Sequence, residues 1–131
     1  MNLLAILAVW ALHGEHYPLR RYAALCFGLG VFCTVCIYFF TPERSSYVGL
    51  SGVIHGLLLY GSCLDIRNKI WLGWVLLAGV WLKIIQEQLY GASATTAELI
   101  QASVAIEAHL YGAIGGALCG LLTLAKAKRQ N

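Results

Sequence analysis

The amino-acid sequence predicts an all-α, polytopic bundle of transmembrane helices, and three observations carry that prediction. Hydrophobic residues fill 60% of the 131 positions and charged residues only 11%, with a mean hydropathy of +0.72. A soluble domain carries roughly 25% charged residues, so this chain has too few charges to solvate its own exterior, and lipid must cover much of it. The apolar residues also fall into five runs separated by short polar stretches, and the basic residues collect at alternate ends of those runs. The formal net charge of +3 is too small and too scattered to indicate a nucleic-acid partner; the expected partner is the lipid bilayer. There is no internal repeat, no low-complexity linker and no second domain.

A membrane core of about 30 Å needs about 20 mostly apolar residues in helix. The first run, about residues 2–12, is short and ends at His13-Gly14-Glu15-His16, two histidines that read as polar residues of a turn. No basic residue precedes its apolar part, so a secretory signal is not the expected reading. The second run, 22–40, is closed by Thr41-Pro42-Glu43-Arg44, and the third, about 48–64, by Asp65-Ile66-Arg67-Asn68-Lys69. The fourth spans 70–90 and leads into a stretch rich in Ala, Ser and Thr. The fifth, about 104–125, ends in Lys126, Lys128 and Arg129. Seven of the nine basic residues (Arg20, Arg21, Arg67, Lys69, Lys126, Lys128 and Arg129) fall on one side if the helices alternate. By the positive-inside rule that side and the C-terminus are cytoplasmic, and the loops at 41–47 and 91–103 face outward.

Five cysteines, Cys26, Cys33, Cys36, Cys63 and Cys119, lie inside apolar runs. Buried cysteine behaves as a small hydrophobe, and with no second pair beside Cys33 and Cys36, in the middle of an apolar run, a zinc or redox site is not expected. No metal and no cofactor are expected.

The third run carries the chemistry. From Ser51 to Leu64 it offers 14 residues, about 21 Å of helix, which is shorter than the bilayer. Its outer end should therefore start below the membrane surface, in a wet hollow where irregular backbone is tolerated. Measured from the basic ends, Ser51, His109 and Asn2 occupy one layer within about a helical turn, and Lys83 and Glu87 share it. Gly52 and Gly56 on the third run, and Gly112, Gly116 and Gly120 on the fifth, are spaced for close helix approach. His109, Gly112 and Gly116 share one face. If the two glycine faces meet, Ser51 and His109 meet with them. A serine becomes a nucleophile when a neighbouring imidazole takes its proton. No acid is well placed as a third member: Asp65 lies at the other end and Glu107 points away from the His109 face. A Ser–His dyad results, with Asn2 or the amides near Ser51 as oxyanion donors.

Gly49-Leu50-Ser51-Gly52 opening a helix, with Ala108-His109-Leu110-Tyr111-Gly112 and Gly116 on a later one, resembles the rhomboid intramembrane serine proteases. The fuller strings Gly49 to Gly56 and Lys83 to Gln88 are similar to the bacterial rhombosortase branch. The resemblance implies Ser51 as nucleophile, His109 as base and Asn2 as the oxyanion asparagine of the family's second helix. It runs from that second helix through the sixth. The first helix and the start of the second, including a histidine four residues before the asparagine, are expected to be missing, so the chain reads as N-terminally truncated. It further implies a bacterial inner-membrane enzyme with its site open to the periplasm. Its substrates would be exported proteins with a C-terminal sorting segment: a glycine pair, a transmembrane stretch and basic residues.

His55, four residues after Ser51, either supports His109 or serves as the base itself. Lys83 and Glu87 are spaced for an intrahelical ion pair or read substrate. Two competing functions remain: a proton- or metal-handling transporter using His55, Glu87, Glu107 and His109, and an inactive rhomboid relative that binds transmembrane segments.

Overall fold

The computed structural model describes residues 2–41, 50–91 and 106–129. These form five α-helices and, among the described residues, no strand: α1 (Asn2–His13), α2 (Leu19–Phe40), α3 (Ser51–Arg67), α4 (Leu72–Tyr90) and α5 (Ile106–Lys128), with a 3₁₀ turn Gly14–His16 after α1. The expected all-helical bundle is the observed one. Two helices, Leu19–Phe40 and Ile106–Lys128, are long and apolar enough to cross a membrane.

α3 is the axis of the molecule. It packs against α1, α2, α4 and α5, and 13 of its 17 residues are buried, against five of 22 in α2. A helix that is apolar all round is stable only when other helices or lipid surround it, and protein surrounds this one. The other helices turn large apolar side chains outward, among them Leu3, Leu7, Phe27, Val31, Leu82 and Leu121. Exposed aromatics gather near two levels: Tyr38, Phe39, Phe40 and Tyr90 toward the Ser51 end, Trp71 and Trp74 toward the opposite, basic end. Such belts sit where a bilayer meets water.

Glycine lets α3 and α5 touch backbone to backbone. A Cβ on Gly112 would overlap the carbonyl of Gly52, and one on Gly116 the carbonyl of Gly56. In the other direction, a Cβ on Gly56 would stand 2.6 Å from the Gly112 oxygen. The two glycine faces anticipated from the spacing do meet.

Helix boundaries differ from the sequence expectation where charged residues continue a helix. α2 begins at Leu19, not 22, because Pro18 accepts from the amides of Arg21 and Tyr22 and opens the first turn before both arginines. α3 runs through Asp65 to Arg67, since Asp65 is buried against histidines instead of solvated in a loop. It stops in a Schellman motif: the Lys69 amide bonds Ile66 O, the Ile70 amide bonds Asp65 O, and Lys69 takes φ 61 in the left-handed position. This turn delays α4 to Leu72. Positions 48–49 and 104–105 of the anticipated third and fifth helices lie outside the described residues, as does the loop expected to dip toward Ser51.

At the basic end, His13 is buried rather than an exposed turn residue. Its Nε2 lies 3.2 Å from Asp65 Oδ2, and His16 Nε2 lies 2.6 Å from Asp65 Oδ1. Gly61 leaves room for the His13 ring. Tyr17, between the 3₁₀ turn and α2, donates its hydroxyl to Leu57 O at 3.0 Å. Burial, with Tyr60 and Tyr22 beside it, pushes the Tyr17 phenol far above its ordinary range and keeps it a donor.

Candidate active site

Ser51 is the first helical residue of α3. The cap position belongs to Leu50, which makes no side-chain cap bond, so Ser51 is not there to cap the helix. The first turn of α3 directs its amide N–H groups past Ser51 toward that end of the molecule. Gly52, the next residue, presses against the carbonyl of Ala108, the residue before His109; a Cβ on Gly52 would stand 2.5 Å from that oxygen. The neighbours of the serine and of the histidine are thus in contact.

Two imidazoles fill the space below. His55 Nδ1 lies 2.7 Å from the backbone carbonyl of Ser51. A carbonyl can only accept, so His55 carries its proton on Nδ1. The His55 and His109 rings are stacked, centroids 4.2 Å apart and inclined by 20°. His109 is buried, and its Nδ1 meets Glu87 Oε2 at 2.6 Å. Facing a carboxylate, Nδ1 carries the proton and leaves Nε2 bare as an acceptor. Glu87 Oε1 in turn receives the Lys83 ammonium. The chain Lys83–Glu87–His109–His55–Ser51 crosses from α4 to α5 to α3.

The structure therefore corrects the reading that no acid stands near the candidate base. Glu87 does, from α4. Helix length counted from the basic ends puts Glu87 in the layer of His109. What the sequence lacked was lateral information: an i, i+4 pair explains Lys83 and Glu87 by themselves, and nothing in the spacing says that α4 turns this face to α5. Gln88 Nε2 donating to Ile106 O at 3.1 Å helps fix that contact.

Of the other anticipated site residues, Gly52, Gly112 and Gly116 lie in the α3–α5 seam. Asn2 begins α1, and its side chain lies outside the described residues, as does Gly49. Cys33 and Cys36 are buried on α2, and Cys33 Sγ makes a weak 3.9 Å bond to Ala108 O. Among the described residues, no three His, Cys, Asp or Glu side chains are grouped as metal ligands.

A family model for the Rhomboid domain matches residues 1–126. The chain belongs to the rhomboid family. Rhomboids are intramembrane serine proteases that act on transmembrane substrates within the bilayer, so this rhomboid is a membrane protein of a hydrolase family, and its apolar exterior follows from that. Comparison with curated proteins and with solved structures returned no match.

Proposed function

We propose that this rhomboid cuts a peptide bond in or near a transmembrane segment, with Ser51 as nucleophile, His109 as general base and Glu87 as the residue that positions His109. The observation that carries the reading is the 2.6 Å contact from Glu87 Oε2 to His109 Nδ1. It selects the tautomer whose Nε2 can take a serine proton, and it is the arrangement that generalises the hydrolase triad. His55 is less suited to be the base, because its Nδ1 donates to a neutral carbonyl, and among the described residues no carboxylate bonds it to stabilise a protonated ring. Its stacked ring sets the tilt of His109.

In the first half of the reaction His109 Nε2 takes the Ser51 proton as Oγ attacks the substrate carbonyl carbon. Amides of the first turn of α3, with Asn2, hold the oxyanion. His109 then gives its proton to the leaving nitrogen, the C–N bond breaks, and an ester on Ser51 remains. In the second half a water loses its proton to His109, attacks the ester and restores Ser51. The resemblance to the rhombosortase branch supports exported proteins with a C-terminal sorting segment as substrates. The distribution of arginine and lysine supports an inner-membrane orientation with the C-terminus cytoplasmic and the site toward the periplasm.

A fluorophosphonate probe on the purified protein tests the assignment. It should label Ser51, fail on Ser51→Ala, and react far more slowly with His109→Ala. Undiminished labelling of Ser51→Ala would overturn the nucleophile. Loss in His55→Ala with His109→Ala still reactive would move the base to His55.

A further inference from the structure

A cavity of about 810 Å³ opens on the side of the bundle between α2 and α5, away from the candidate active site. Its mouth carries three cations from three helices: Arg21 of α2, Arg67 at the end of α3 and Lys126 of α5. Among the described residues that line it, no carboxylate balances them. Beyond the cations the walls are almost wholly apolar, with Phe32 and Gly115 at the far end and Leu122 along the side. Gly28 keeps the wall open, since a Cβ there would meet nothing within 4 Å.

We propose that this cavity binds one anionic phospholipid, its phosphate against Arg21, Arg67 and Lys126 and an acyl chain along the apolar walls. Charge and length both argue for that occupant. Three uncompensated cations call for an anion, and basic pockets between transmembrane helices are where anionic headgroups settle. From Arg21 to Phe32, and from Lys126 back to Gly115, the helices advance eleven residues, about 16 Å. That is close to half of a hydrocarbon core of about 30 Å, the depth of one leaflet. A soluble anion would use the mouth and leave the walls unexplained; a neutral lipid would use the walls and leave the cations unexplained. The site joins α2 and α5 to the end of α3, so an occupant would tie these three helices together.

The test compares phosphatidylglycerol, phosphatidylcholine of the same acyl chains, and inorganic phosphate, added to the purified protein in neutral detergent. Native mass spectrometry and thermal unfolding are the readouts. Phosphatidylglycerol should be retained at one molecule per chain and should raise Tm, with phosphatidylcholine and phosphate having little effect. Each cation removed should weaken retention by about fivefold, so Arg21→Gln with Lys126→Gln should abolish the preference. Gly28→Leu should exclude the lipid while leaving every charge in place. Equal retention of both lipids, protection by phosphate alone, preference surviving in both variants, or exclusion of lipid by a second copy of the chain would each overturn the proposal.

Discussion

Replacing Glu87 by glutamine keeps the shape of the side chain and removes its charge from His109. In the proposed mechanism the transition state for acylation places a positive charge on the His109 ring, flanked by Glu87 and, one residue further out, by Lys83. With about 4 Å to the carboxylate and an effective dielectric of about 20, the attraction is roughly 4 kcal/mol. Lys83, at about 7 Å, opposes it by roughly 2 kcal/mol, less after screening, because its side chain is 49% exposed. Glu87→Gln removes the attraction and leaves the repulsion, a loss of about 4 kcal/mol or roughly 10³-fold in rate. Removing Lys83 as well should return about tenfold of that, so Lys83→Met with Glu87→Gln outperforms Glu87→Gln alone. The assay is the second-order rate of fluorophosphonate labelling at Ser51, normalised to folded protein. A Glu87→Gln rate within threefold of the parent would refute the positioning role. Equal rates for the single and double variants would refute the opposing role of Lys83.

Gly112→Ala should unfold the bundle or cost several kcal/mol, since its Cβ would overlap the Gly52 carbonyl and rigid backbone cannot yield as a side chain does. Gly79→Ala, where a Cβ would meet nothing within 4 Å, should leave Tm unchanged or slightly raised; circular dichroism on heating distinguishes them. The raised phenol of Tyr17 contributes stability that is fully present below its ordinary value near 10 and is lost as pH rises above it. Tyr17→Phe should therefore flatten alkaline unfolding while costing about 1 kcal/mol at neutral pH through the lost bond to Leu57. Asp65→Asn should lower Tm, because it removes the carboxylate that both His13 and His16 face, yet leave the labelling rate per folded molecule unchanged.

The fold was largely legible because its determinants are local. Five apolar runs and the scarcity of charge specify a helical bundle, and the glycine spacing specifies which faces of α3 and α5 meet. Ser51 and His109 followed from that seam. Glu87 did not, because its partner is set by how α4 rotates about its own axis, and the exposed apolar residues on α4 give that rotation no sequence signature. The His13–Asp65–His16 contact was hidden for a different reason. A polar turn beside a charged loop satisfies every local rule as a solvated pair of loops, and only the tertiary approach of α1 to α3 at Gly61 shows that His13 is enclosed.

A histidine–carboxylate contact stands at each end of α3: Asp65 of α3 itself faces His13 and His16 at the basic end, and Glu87 of α4 meets His109 of α5 beside the Ser51 end. At the basic end two imidazoles face Asp65, the His16 bond ties the turn after α1 to α3, and among the described residues no serine opens a helix there. At the other end the carboxylate contacts a single imidazole through Nδ1, the other side of that ring stays available, and a serine opens the helix whose amides point the same way. In the proposed mechanism that ring's Nε2, the hydroxyl and the helix N-terminus serve as base, nucleophile and oxyanion donor. What separates the two ends is the serine that opens α3 beside His109, and on that ground the proposed function places its chemistry at the Glu87–His109 end.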